Sequence, residues 1–275
     1  MDSNIASRRR ALIVGASSDI GTALSDDWIS KNWELAGTYR TKSDGVMRLA
    51  KKFTALVPCD LENAISVDNA CSELKKAMTN WDVLVFGPGL QEPVDLFNDC
   101  DFDDWEKSIA VNFTNQLRFL HKLLAKRNYQ SINGPSVLFF AGGGVNSAPI
   151  NYSAYTVSKI ALIKMVELLA AEMHDVKFVI VGPGWVNTKI HKSILDAGER
   201  AGRSHELTIQ KFKDGIFTPM DKVVECCNTL ISGSREIFTG RNYSVAFDRW
   251  DDSQFSQLLE DNPDMYKLRR FGNNL

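Results

Sequence analysis

Tyr155-Thr156-Val157-Ser158-Lys159 sets a phenol and an ammonium four residues apart. On a helix that spacing puts both groups on one face. A phenol with an ordinary pKa near ~10 is a weak acid–base group at neutral pH, and an adjacent ammonium draws it toward the working range. Such a pair suits proton transfer to or from an oxygen. Taken alone, the spacing also occurs on many helix surfaces, so its meaning depends on what surrounds it.

A second group of residues provides that setting. Gly15-Ala16-Ser17-Ser18-Asp19-Ile20-Gly21 follows the apolar run Ala11-Leu12-Ile13-Val14 and opens a helical pattern. Gly15 permits a sharp turn and Gly21 a close approach of helix to sheet. Ser17, Ser18, Asp19 and Ile20 present backbone N–H groups to a pyrophosphate at the helix N-terminus. Asp19 stands where the usual pattern has its middle glycine, and its carboxylate is expected to turn away from phosphate and cap the helix. About 20 residues beyond the glycine turn an acidic side chain favours NAD and an arginine NADP. Here Arg40, in Tyr39-Arg40-Thr41-Lys42, is expected to grip a 2′-phosphate with its planar fork. The expected cofactor is NADP(H).

These residues need a scaffold. The continuous apolar run 11–14 reads as a buried strand, and 33–39, 53–58, 82–86, 137–141, 176–181 and 243–247 have strand character, with helical patterns at 19–31, 62–79, 103–127 and 152–173 among them. The alternation predicts an α/β fold, a Rossmann-type doubly wound parallel sheet of about seven strands with helices on both faces, as one domain over 1–275. Segment 187–217 is charged and weakly periodic and reads as a substrate lid. Thr218-Pro219-Met220-Asp221 reads as a helix start, and 251–275 as a tail, loose or folded over the site.

Composition narrows the functions. A net charge of −2 gives no general affinity for nucleic acid. Five cysteines without C-x-x-C spacing suggest neither a disulfide framework nor a zinc ribbon, and four scattered histidines suggest no metal. The apolar run after Arg8, Arg9 and Arg10 is too short for a signal sequence or membrane span. A cytoplasmic protein without a membrane or nucleic-acid partner is expected, and the arginine run is read as solvated.

With these motifs in this order, the chain resembles the short-chain dehydrogenase/reductase family as far as about Asp248. Weaker signals agree: Cys59-Asp60-Leu61, Asn112 in Val111-Asn112-Phe113, and Pro183-Gly184-Trp185-Val186-Asn187-Thr188. The resemblance implies that Asp60 meets the adenine amino group beside Leu61, and that Lys159 holds the nicotinamide ribose while lowering the pKa of Tyr155. It further implies a proton relay positioned by Asn112, a carboxamide site at Pro183, Gly184, Val186 and Thr188, and proton exchange with a carbonyl or alcohol substrate through Tyr155. Each residue also has a plain structural role open to it: Asp60 as a cap, Asn112 as a tolerated polar group, Pro183-Gly184 as a turn.

The chain departs from the family in two places. The serine usual about thirteen residues before the tyrosine is absent from Phe140-Ala141-Gly142-Gly143-Gly144, and Phe86-Gly87-Pro88-Gly89 stands for the family's Asn-Asn-Ala-Gly. Either Asn146 or Ser147 supplies the missing donor, or the N–H groups of 142–144 form a nest, or the protein binds dinucleotide as a sensor or scaffold without turnover. Gly87 and Pro88 are placed at the cofactor. Trp185 and the lid are expected around a substrate such as a sugar or small ketone. Helix 152–173, apolar nearly all round, implies a homodimer or homotetramer, or else burial within one subunit.

Overall fold

The computed structural model describes residues 8–271. Seven strands, β1 (Arg10–Val14), β2 (Glu34–Tyr39), β3 (Ala55–Pro58), β4 (Val83–Phe86), β5 (Ser136–Phe140), β6 (Lys177–Gly182) and β7 (Arg241–Ser244), form one parallel sheet in the order β3-β2-β1-β4-β5-β6-β7. This is the Rossmann-type α/β sheet that the alternating pattern predicts. The central strands are mostly apolar because both faces are covered. Leu12, Val14, Leu84, Phe86, Val137 and Phe139 enter one core, and Ala11, Ile13, Val83, Val85, Leu138 and Phe140 the other. Alternate residues thus serve opposite layers, as the period of a strand requires.

The first layer holds α3 (Ala64–Ala77), α5 (Asn115–Leu123) and α6 (Ser153–Glu172), with α4 (Phe102–Ile109) packed against α6; the second holds α1 (Asp19–Ser30), α2 (Asp44–Ala50) and α9 (Met220–Ser232). The pattern at 103–127 predicts one helix, but a π-helical turn at Ala110–Thr114 divides it into α4 and α5. Segment 187–217 is largely helical, with α7 (Lys192–Ala197) and α8 (Arg203–Asp214) joined by a short 3₁₀ turn. The last strand begins two residues earlier than its apolar run suggests and ends at Ser244, where Asp248 accepts the Ser244 N–H at 2.7 Å and turns the chain.

After α10 (Arg235–Phe238), the tail forms α11 (Phe255–Asp261), which buries Phe255 and Leu259. Arg241 secures it by donating to the carbonyls of Leu259, Asn262 and Met265 at 3.0, 3.2 and 2.6 Å. The Asn242 N–H donates to Tyr266 O at 2.8 Å, so the tail lines the outer edge of β7. The arginine run is packed rather than merely solvated: Arg9 lies over the Trp33 ring at 4.3 Å and Arg10 pairs with Glu34 at 3.2 Å. Among the described residues, no helix is long and apolar enough to cross a membrane.

Candidate active site

Tyr155 lies in the first turn of α6 and Lys159 one turn on, 9% and 3% exposed. Lys159 donates to the Phe140 carbonyl at the end of β5 at 2.9 Å, and its Nζ is 5.8 Å from the centre of the Tyr155 ring. Burial pushes the phenol up to about 12 and the ammonium down to about 8. In the free protein, desolvation therefore outweighs the lowering of the phenol pKa that the pairing implies.

Gly142 sits thirteen residues before Tyr155, at the place where the family carries serine. A Cβ there would lie 2.5 Å from the Tyr155 hydroxyl oxygen and 2.6 Å from its Cε1. Nothing lies within 4 Å of the corresponding position on Gly143, and Gly144 has φ +98°. Asn146 and Ser147 are exposed further along this loop; the Ser147 N–H reaches Gly144 O at 3.5 Å.

Asn112, fully buried in the π-helical turn, accepts from Leu90 N–H at 2.8 Å and donates to Leu90 O at 2.7 Å. It also donates to Ser108 Oγ at 3.2 Å. A Cβ on Gly89 would lie 3.8 Å from both Asn112 Oδ1 and Lys159 Nζ, so these groups converge at the loop after β4. Gln116 braces the same loop by donating to Pro88 O at 3.2 Å and Val111 O at 3.0 Å. No spacing in the sequence marks Gln116 or Ser108 for this role.

The glycine turn packs beneath that loop. Gly15 has φ +72°, and a Cβ on it would meet the Pro88 ring at 2.6 Å. A Cβ on Gly21 would meet Gly15 O at 2.5 Å, and one on Gly87 would meet Ser18 Oγ at 2.8 Å. The helix cap is Ser18, whose Oγ accepts from Gly21 N–H at 3.0 Å; Asp19 is not the cap. Thr22 N–H returns to Ser18 O, so Asp19 and Ile20 keep N–H groups without an intrahelical acceptor. Ser17 is part of the same turn. Two donors at a positive helix end fit a pyrophosphate.

Arg40 is exposed just beyond β2. Asp60 Oδ1 accepts from Glu62 N–H at 3.0 Å, while α3 is capped by Asn63. Leu61 is 5% exposed, packs in the first core, and its carbonyl accepts from Asn115 at 2.7 Å. After β6, Pro183 leads into Gly184, with φ +76° and space limited by Thr218 Oγ1. Val186 is buried, its carbonyl facing His191 Nε2 at 2.8 Å, and Thr188 precedes a short 3₁₀ turn. Trp185 stacks on His191 at 4.1 Å and lines a cavity of about 430 Å³ with Phe217, Phe247, Lys211 and Lys222. Lys159, Asn112 and the glycine turn thus approach one another around the loop after β4, and Tyr155 approaches Gly142 at the end of β5; Ser147 lies further along that second loop.

The short chain dehydrogenase family profile matches residues 9–199. The chain is a short-chain dehydrogenase/reductase. It is 22% identical over 239 residues to an NAD-dependent glycerol dehydrogenase of Listeria innocua, covering 86% of this chain and 91% of that one. A 3-oxoacyl-[acyl-carrier-protein] reductase of Rickettsia prowazekii is 25% identical over 244 residues, covering 86% and 95%. Among solved structures, an actinorhodin polyketide ketoreductase variant with NADPH superposes with TM-score 0.74 at 18% identity, covering 89% of this chain and 97% of that one. Membership of the short-chain dehydrogenase/reductase family makes this an oxidoreductase whose chemistry is NAD(P)H-dependent hydride transfer.

Proposed function

We propose that this short-chain dehydrogenase/reductase is an NADP(H)-preferring enzyme acting on a small carbonyl or alcohol substrate. The observation that carries the reading is the buried Tyr155–Lys159 pair against Phe140 and Gly142, opposite the open helix end at Asp19 and Ile20. The residues that would hold the dinucleotide are Gly15, Ser17, Ser18, Asp19 through its backbone N–H, Ile20 and Gly21 at the pyrophosphate, Arg40 at the adenosine ribose, and Asp60 and Leu61 at the adenine. Gly87, Pro88, Asn112, Pro183, Gly184, Val186 and Thr188 would border the nicotinamide half. The relatives include an NAD enzyme and an NADPH complex, so the preference rests on Arg40.

When bound, the nicotinamide supplies or accepts the hydride. Tyr155 gives its hydroxyl proton to the substrate oxygen in reduction and takes one back in oxidation. Lys159 spends one N–H on Phe140 O and keeps two for the ribose hydroxyls. Asn112 holds the loop after β4 through Leu90. The N–H groups of the 142–144 loop polarise the carbonyl, since the open face of Gly143 lets an oxygen approach. Ser147 is the competing donor.

The outer side of α6 exposes Val157 and Leu168, at 51% and 45%, and supports association as a homodimer or homotetramer; a monomeric mass at micromolar concentration would count against it. Free buried thiols at Cys59, Cys71, Cys226 and Cys227 suit the cytoplasm. The deciding test is NADPH and NADH binding by fluorescence, followed by oxidation with a panel of ketones and sugars. Preferred NADPH binding and turnover that falls roughly 10²–10⁴-fold in Tyr155→Phe support the reading. Equal affinity of wild type and Arg40→Ala for NADPH overturns the cofactor assignment, and binding without turnover across the panel overturns the enzyme assignment.

A further inference from the structure

We propose that Asp19 is a positioning residue that clasps the root of segment 187–203 across the dinucleotide groove and slows release of the cofactor. The proposal rests on the dinucleotide reading above. Asp19 replaces the middle glycine of the usual turn, and because Ser18 caps α1 its carboxylate is free for another partner. That partner is 170 residues away: the Lys189 backbone N–H donates to Asp19 Oδ2 at 2.8 Å, and Lys189 Nζ stands 3.6 Å from Oδ1.

The sheet order shows what this contact crosses. Asp19 follows β1 and Lys189 follows β6, with β4 and β5 between them. Three strand spacings make roughly 14 Å, so the contact closes over the ends of the two intervening strands, where doubly wound sheets bind their ligands. The other end of the segment is held on the catalytic side. Ser193 donates to Gln91 Oε1 at 3.0 Å, Arg200 pairs with Asp95 at 3.2 Å, and Asn151 Nδ2 donates to Arg200 O at 2.5 Å. Asp19 adds an attachment on the pyrophosphate side.

The arrangement also answers a charge problem. A carboxylate in the first turn of α1 would repel phosphate, but both Asp19 oxygens face Lys189, leaving the Asp19 and Ile20 N–H groups available. Lys189 is 81% exposed at its side chain, so its ammonium adds little and the hydrogen bond to the backbone carries the clasp.

The test uses Asp19→Ala, Asp19→Gly and Asp19→Asn in the full chain. Loss of a charge-assisted bond predicts NADPH dissociation roughly tenfold faster in the Ala and Gly variants by stopped-flow fluorescence. Asn keeps an acceptor for the Lys189 N–H and is expected to stay within about threefold of wild type. Hydrogen exchange of the cofactor-free protein gives an independent readout: the Lys189 amide exchanges faster in Ala and Gly than in Asn, with melting temperature as the folding control. Unchanged Lys189 exchange in folded Asp19→Ala overturns the clasp, as does unchanged or slower NADPH release. Should wild type bind neither dinucleotide, the cofactor reading fails, and exchange at Lys189 alone decides whether the clasp exists.

Discussion

Gly142 faces Tyr155 so closely that a Cβ on it would stand 2.5 Å from the phenol oxygen. The missing serine is therefore part of a local fit between a small loop residue and a tyrosine that leans into its space. Restoring the family residue with Gly142→Ser should impair the enzyme, because the buried ring must shift to admit the side chain. A displacement approaching 1 Å is expected to lower kcat/KM by about 10²-fold. Higher ketone reduction by Gly142→Ser would refute this relationship.

The same loop gives a second prediction. With the 142–144 N–H groups as donors, the double variant Asn146→Ala, Ser147→Ala should keep kcat/KM within about threefold of wild type. A loss on the order of 10²–10³ would move the donor role to those side chains.

Lys159 sets opposite pH trends for binding and stability. Burial brings its ammonium down to about 8 from an ordinary 10.5. As pH rises through about 8, it loses charge and a donor, so NADPH affinity should fall. Between about 8 and 10.5 the unfolded chain holds the extra proton, so this group makes the free protein more stable as pH rises. Titrating NADPH from pH 7 to 9.5, beside thermal melts of the free protein, tests both signs. Lys159→Met should bind weakly throughout and lose the pH dependence of binding.

Much of this architecture is written locally. The strands are legible because burial on both faces demands uninterrupted apolar runs, and the glycine turn because Gly15 and Gly21 each leave no room for a Cβ. The Tyr155–Lys159 pair is legible because α6 is regular around it. The π-helical turn at Asn112 is not, since one added residue barely alters an apolar period over 103–127. The short α2 and α11 carry too few turns for a periodic signal, and α11 is stabilised from outside by Arg241. Asp19 reads as a cap because capping is a local habit of aspartate, while its bond to Lys189 depends on strand order.

Asn112 should behave as a brace for the loop after β4. Asn112→Ala strands the Leu90 N–H, which the carboxamide satisfies at 2.8 Å, and leaves the Leu90 C=O with only the longer bond from Ser108 Oγ at 3.3 Å. Leaving this half-buried N–H unpaired is expected to cost about 1 kcal/mol in chemical denaturation. Cofactor affinity and kcat should fall together, since the Gly89 end of this loop approaches Lys159. Unchanged stability with reduced kcat would instead assign Asn112 a direct part in proton transfer.

Lys177 offers a stability test far from the chemistry. It is fully buried at the start of β6, where Nζ donates to Ile231 O at 2.9 Å and Gly233 O at 2.6 Å and closes the end of α9. Burial, followed by the charge of Arg9, brings its pKa down to about 7. A neutral amine has two N–H donors, one for each carbonyl. The unfolded chain retains the ordinary value of 10.5, so between about 7 and 10.5 it binds more protons than the folded chain, and stability rises with pH by up to about 1.4 kcal/mol per unit. Below about 7 both states are protonated and this contribution is flat. Lys177→Met removes the proton-linked slope and leaves two carbonyls unpaired, so the melting temperatures of variant and wild type should diverge as pH rises from 7 to 9.5. Parallel curves would show that Lys177 keeps its proton in the folded protein.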